Sequence, residues 1–244
     1  MRNKIAMGAA AAVAAVTVVG SAGGAANGGI AVANRALSAS AARFDQPRQN
    51  PYFPLKPGTV TRFTGSDEGE QFVEKVKVTH HKKTIQGVRT TVVRDVLRRA
   101  DGSLAEKTHD WYAADTDGNV WYFGEATATF DENGKLDSRE GSWKAGRHGA
   151  VAGLIMPSHP RPTDAYRQEL FKHHAEDQAW IVQRHATVTV PFGTLHNVVR
   201  SFEWTRLEKG VVSVKLYARG LGIVREQDLA GGSEVFDLVS VSHH

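Results

Sequence analysis

Asp95, Asp110 and Glu125 are the residues whose types and spacing could do chemistry in this chain. Asp110 and Glu125 flank Asp117-Gly118, a dipeptide that supplies the positive φ angles of a tight hairpin turn. If Thr116 pairs with Asn119, Asp110 faces Glu125, Tyr112 faces Phe123 and Ala114 faces Trp121, while Trp111 lies across from Gly124. Asp101-Gly102 and Asn133-Gly134 read as turns of the same kind. Together the three registers set Val93, Asp110, Glu125 and Ser142 in one transverse row and Asp95, Thr108, Thr127 and Glu140 in the next. Carboxylates then gather at one end of a face that also carries Tyr112, Trp121, Phe123 and Leu97. Like charges directly opposed are unfavourable unless a cation, a basic side chain or a shared proton compensates. The pattern predicts either a rim neutralised by basic residues from the second half or a ligand or cation site formed by Tyr112, Trp121, Phe123, Asp95, Asp110 and Glu125. On the opposite face the row Val92, Trp111, Gly124, Trp143 predicts two indoles closing over a glycine. A slip of one residue would exchange the faces.

Other motifs point less far. Asp115-Thr116-Asp117-Gly118-Asn119 has the spacing that opens a calcium loop, but Val120 stands where the turning glycine belongs and Ala126 where the bidentate Glu belongs, so it reads as a turn. His80-His81 and His173-His174 are adjacent pairs whose rings point to opposite faces of a strand, so neither pair chelates one ion there. The bend His173-His174-Ala175-Glu176-Asp177 is the remaining place for a metal, whose presence is left unknown. Gly65-Ser66-Asp67-Glu68-Gly69 lacks the Gly-x-Ser-x-Gly of a nucleophile elbow. Metalloprotease, phosphate-loop and dinucleotide fingerprints are missing. No catalytic residue and no cofactor are predicted.

The elements that would position these residues are strands. Phe72, Val76 and Val78 alternate with Val73, Lys75, Lys77 and Thr79. The period continues through Val88 to Leu97 and the Asp110 to Glu125 hairpin, making residues ~70 to ~144 a meander of long antiparallel strands. From Ala145 to Asp164 the pattern breaks into a long loop rich in glycine and proline, the kind of segment that covers a scaffold. Strand patterns resume near Tyr166 to Lys172, Ala179 to Val190 and Val198 to Arg206. Val212, Val214, Leu216 and Ala218 then alternate with Ser213, Lys215, Tyr217 and Arg219. The expected fold is all-β, a long antiparallel meander of about eleven strands closing into a barrel or half-barrel, with a two-sheet sandwich as the alternative.

Met-Arg-Asn-Lys, the apolar run Ile5 to Val19 and the small residues after it form the order of a secretory signal peptide, assigned to 1–33. Residues 34–50 read as a flexible leader, and 51–244 as one β-barrel-like domain entered through Pro51, Pro54 and Pro57. The chain has no cysteine, which removes disulfides, thiolate chemistry and the lipid-modified Cys of a lipoprotein. A net charge of +4 arises from many charges of both signs, the mark of a solvated surface rather than of a nucleic-acid footprint. The expected location is secreted or periplasmic, with no stable membrane span after processing.

Asn50-Pro51-Tyr52-Phe53-Pro54-Leu55-Lys56-Pro57-Gly58-Thr59, the Asp110 to Glu125 hairpin, Gly141-Ser142-Trp143, Ile155-Met156-Pro157, Tyr166-Arg167-Gln168-Glu169, Ala175-Glu176-Asp177 and Val190-Pro191-Phe192-Gly193-Thr194 together resemble a group of exported bacterial proteins of uncharacterised function. The resemblance spans nearly the whole mature chain and transfers no catalytic residue; Lys172-His173-His174 departs from the glycine-bearing turn it leads one to expect. At fold level the meander is similar to lipocalins and to half-barrel periplasmic carriers, an analogy of shape. Three functions remain open. The first is a non-enzymatic exported binder of an apolar or amphipathic small molecule, which a cavity would favour. The second is an envelope-associated structural or interaction module, which a filled core with an exposed Trp patch would favour. The third is a metal-dependent hydrolase using the acidic cluster.

Overall fold

The computed structural model describes Ala39 and residues 42–244, and among these it contains strands and no helix. The segment assigned to a signal peptide lies outside the described residues. β1 (Thr59–Asp67) starts directly after Pro57-Gly58, and β2 (Glu70–Ile85), β3 (Val88–Arg99), β4 (Leu104–Ala114) and β5 (Val120–Phe130) follow as antiparallel neighbours. The other edge of β5 takes three short partners, β6 (Leu136–Ser138), β7 (Trp143–Lys144) and β8 (Val151–Met156). The glycine- and proline-rich stretch 145–164 therefore carries a strand between its loops. β9 (Ala165–Arg167) and β10 (Glu169–Leu170) precede a second meander of β11 (Asp177–Val190), β12 (Gly193–Thr205), β13 (Val212–Ala218), β14 (Gly222–Ala230) and β15 (Val235–His243). β15 pairs with β1, joining the two halves.

The path of strands ends at β10, on β8, and at β9, on β11. These ends are consecutive parts of one segment, on either side of the buried Gln168. The antiparallel sheet is thus nearly closed into a barrel with one seam, as the meander predicted. There are more strands than the eleven expected because short pieces on β5 and at the seam pair where the sequence shows no period.

The three hairpin turns differ from the expected two-residue form in a way that sets the register. Asp115 N–H donates to the Asn119 carbonyl at 2.9 Å, and Gly118 N–H to the Asp115 carbonyl at 3.1 Å. Gly118 has φ 87°. This is a three-residue loop, a type I turn closed by a left-handed glycine. Arg99 with Ser103 and Asp131 with Lys135 repeat it. Each turn offsets the pairing by one residue from the expected Ala100–Ser103, Thr116–Asn119 and Glu132–Lys135. In the first two hairpins a bulge restores the expected register, between Leu97 and Arg98 on β3–β4 and between Asp110 and Tyr112 on β4–β5. Asp110 therefore does face Glu125, while nearer the turn Tyr112 faces Tyr122 and Ala113 faces Trp121.

In the third hairpin the irregularities accumulate. Phe130 pairs with Leu136, Thr129 with Ser138, and Glu125 with Trp143. Trp143 thus lies opposite Glu125 instead of Gly124. The indoles of Trp111 and Trp143 consequently occupy opposite faces, contrary to the row inferred from sequence. Trp111 faces outward beneath the Lys83 ammonium, 3.4 Å from its ring centroid. Trp143 faces inward, edge-on to Tyr122 at 5.3 Å. Gly124, with φ 121°, is required by backbone rather than by rings, since a Cβ there would stand 2.3 Å from the Trp143 carbonyl oxygen.

Aromatic residues on both faces of the β4–β5 hairpin need two covers. Inward, Tyr112 stacks on Tyr122 at 4.6 Å. Outward, residues 43–50 of the leader lie along the hairpin: Phe44 meets Phe123 edge-on at 5.6 Å, Arg48 N–H donates to the Asp115 carbonyl, and Thr116 N–H donates to the Arg43 carbonyl. Asn50, buried, fixes this strap, its amide nitrogen donating to the carbonyls of Gly118, Met156 and Pro157 and its oxygen accepting from the N–H groups of Tyr52 and Phe53. On the second half, Leu216 and Ala218 join an apolar cluster with Ala186, Val188, Val190 and Val198 of the β11–β12 hairpin.

Candidate functional site

Strand alternation sends Val93, Asp95 and Asp110 of β3 and β4 to the interior, together with Lys215 and Tyr217 of β13. They line a cavity whose mouth is framed by Phe53, Pro54 and Leu55 on one side and Leu221, Gly222 and Ile223 on the other. A water-sized sphere can centre itself in about 90 Å³ of it, room for several waters or a short alkyl segment by the about 10–15 Å³ that one water needs. Val76, Val78 and Phe63 make the wall apolar, and Phe53 meets Tyr112 edge-on at 5.0 Å. The approach to the cavity is hydrophobic and its floor is ionisable.

Around that floor the barrel buries an unusual set of acids. Lys215 is held by Glu203 and Glu226, its Nζ 3.3 Å from an oxygen of each. Glu203 also accepts from the Ser201 hydroxyl at 2.7 Å, the Tyr217 hydroxyl at 2.9 Å and the Gln168 amide at 3.1 Å, which ties the seam residue Gln168 to β12 and β13. Burial acts to lower the Lys215 ammonium, but Glu203, Glu226 and Asp177 outweigh it and hold the group above the ordinary lysine range. Tyr122 donates to Asp110 at 2.7 Å, Trp143 Nε1 to Glu169 at 3.2 Å, and Thr127 to Glu106 at 2.9 Å.

Because so many acids surround one lysine, most must keep their protons. Burial pushes Glu106 up to about 8, against the hydroxyls of Thr108 and Thr127 that favour its anion. Burial raises Asp110 to about 7, Glu226 to about 7 and Asp95 to about 6, the last tempered by a hydrogen bond with Glu74 that itself requires a shared proton. Glu125, with neither oxygen hydrogen-bonded, is driven well above the carboxylate range by burial and then by Glu169 and Asp110. Neutral acids can donate hydrogen bonds inside the barrel and exchange protons with a ligand, without a fixed anionic field.

The residues named from sequence divide between two places. Asp95, Asp110 and Tyr112 line the cavity. Glu125 is buried beside Asp110, across β4–β5, among the interior acids. Trp121 and Phe123 are on the outer face, since the bulge turns them away from the cavity: Trp121 Nε1 donates to Asp115 at 2.8 Å and Phe123 lies under Phe44. Glu140, expected beside Asp95, is exposed. The basic residue anticipated from the second half is Lys215, whose charge acts on Asp95 although its ion pairs are with Glu203 and Glu226. Asp115 spends its carboxylate on its own turn, accepting from the N–H groups of Asp117 and Asn119, the Asn119 amide and Trp121. In the His173 bend, Glu176 caps the His173 N–H and His174 stacks on Phe171. Among the described residues no three or more acids and histidines are placed to hold a metal ion.

Glu106, Glu169, Glu203, Lys215 and Glu226 were not singled out from sequence. The one available signal was the period-two pattern of β13, where Lys215 and Tyr217 alternate with apolar residues. That pattern favours burying Leu216 and Ala218. In the barrel both sets are buried, the polar one toward the cavity and the apolar one under the β11–β12 hairpin.

No family model matches the chain, and no curated protein matches it in sequence. Two crystal structures are similar in chain course. A protein with a YmcC-like fold from Bacteroides fragilis NCTC 9343, inferred to be exported, aligns at 13% identity and TM-score 0.47, over 79% of this chain and 99% of its own. A protein from Parabacteroides distasonis ATCC 8503, inferred to be a lipoprotein, aligns at 12% identity and TM-score 0.43, over 80% of this chain and 100% of its own.

Proposed function

We propose that the protein acts outside the cytoplasm as a non-enzymatic binder of an apolar or amphipathic small molecule. The observation that carries this reading is the half-open cavity between Phe53-Pro54-Leu55 and Leu221-Gly222-Ile223, apolar at its mouth and walls with convergent polar groups at its floor. That combination is the common form of a small-molecule site: apolar surface supplies affinity, and a few fixed donors and acceptors orient the ligand. The N-terminal sequence supports export. Tyr112, Asp95 and Asp110 are the contacts expected for the polar end of a guest that enters past Phe53.

Calorimetric titration with octanol tests the reading. Saturable binding is expected, and Val93→Phe, which fills the cavity, should weaken it at least tenfold. Leu221→Trp, at the half-buried mouth, should do the same without touching the interior. An octanol titration of the folded protein with no heat, or one indifferent to both variants, would overturn the assignment.

A further inference from the structure

A second concave space adjoins the cavity. It is polar, with room for a water-sized sphere to centre in about 260 Å³, and it shares Phe53 and Leu55 with the apolar cavity as a common wall. Three cations from three elements line it: Arg48 of the leader strap, Lys82 of β2 and Arg89 of β3. Gln49 and Thr91 add polar groups, and the lining holds no carboxylate.

The described residues supply these charges with no anion. None of the three makes an ion pair among the described residues, although the interior acids lie only a few residues further along the same strands. Lys82 Nζ donates to Thr91 Oγ1 at 2.7 Å, which fixes the ammonium at the pocket without neutralising it. Burial and then the neighbouring Arg89 hold the Lys82 ammonium below its usual range, the direction expected where cations crowd. Two guanidiniums and an ammonium around one hollow suit a phosphate or carboxylate, which guanidinium forks can engage in bidentate fashion.

We propose that Arg48, Lys82 and Arg89 bind the anionic head group, phosphate or carboxylate, of an amphipathic ligand whose apolar part crosses the Phe53–Leu55 wall into the neighbouring cavity. The apolar half of this assignment rests on the binding function proposed above; the anionic half rests on the three cations. The ligand would pass beside Phe53 and Leu55, both half-buried and both lining each of the two spaces. The strap that covers the β4–β5 hairpin would thereby also complete the head-group site, through Arg48.

Octyl phosphate, octanol and inorganic phosphate, titrated separately into the full-length protein at low ionic strength, separate the possibilities. Octyl phosphate should bind at least tenfold more tightly than either of the others. Its advantage over octanol should shrink as salt is added. Lys82→Gln combined with Arg89→Gln should remove that advantage, and Arg48→Gln, on a different element, should reduce it. All three positions are exposed, and an unchanged thermal melt would certify the fold of each variant. Octanol binding with octyl phosphate no tighter would overturn the head-group site and leave the cavity reading standing. Inorganic phosphate binding as tightly as octyl phosphate would assign the pocket to free anions and overturn the shared ligand. Binding of none of the three would overturn both.

Discussion

Gly124 shows how one residue can hold two strands in place. It pairs with Lys144 of β7, and its φ of 121° lies in a region that side chains disfavour. A Cβ would meet the Trp143 carbonyl at 2.3 Å and the Lys144 Cα at 2.8 Å, both backbone atoms that cannot swing aside. Gly134 has a positive φ as well, but a Cβ there meets nothing within 4 Å. Gly134→Ala should therefore cost about 1 kcal/mol, whereas Gly124→Ala should cost roughly 2–4 kcal/mol by adding the clash. Urea denaturation followed by tryptophan fluorescence measures both. Equal midpoints for the two variants would contradict the close approach of β7.

At the scale of elements, the leader strap and the hairpin beneath it act as one unit. Phe44 covers Phe123, the Arg48 N–H donates to the Asp115 carbonyl and the Thr116 N–H to the Arg43 carbonyl, and Asn50 clamps the strap to the turn and to the end of β8. Asn50→Ala removes the clamp and leaves the N–H groups of Tyr52 and Phe53 without their acceptor. A loss of roughly 2–4 kcal/mol is expected from several buried hydrogen bonds failing together. Amide hydrogen exchange should accelerate at Arg48 and Thr116, whose acceptors lie across the strap, and stay slow in β12. Uniform acceleration through the barrel would show instead that strap and barrel open together.

The molecule as a whole carries an interior that takes up protons on folding. Glu106 titrates at about 8 folded against a reference of 4.5. Its contribution to stability is thus fully present below the reference value and is lost as pH rises through about 8. Asp110 and Glu226, both raised to about 7, and Asp95, raised to about 6, act with the same sign over windows that close earlier. Each such carboxyl can steepen the fall by at most about 1.4 kcal/mol per pH unit. The melting temperature should be higher at pH 5.5 than at pH 8.5, and Glu106→Gln, which keeps the Thr108 and Thr127 contacts neutral at every pH, should flatten the upper part of that slope. A melting temperature that rises from pH 5.5 to pH 8.5 would show that these acids fold as anions.

The sequence by itself determined the all-β meander, because period-two alternation and Asp-Gly or Asn-Gly turns are local signals that read out wherever they occur. It also determined that Asp110 faces Glu125 and that Asp95 lies one row away, since the displacements of turn and bulge cancel in the first two hairpins. Only the tertiary structure decided which face Trp121, Phe123 and Trp143 take. Bulges add single residues without a clear sequence mark, and each one exchanges the faces of everything beyond it. That Lys215 meets the acids of the first meander was beyond reach for a related reason. Its partners Glu226 and Glu203 lie on the neighbouring strands β14 and β12, but this face of β13 comes to Asp95 and Asp110 only when the sheet closes on itself. Closure is a property of the whole sheet, in which a polar period can face inward because an outer hairpin buries the apolar one.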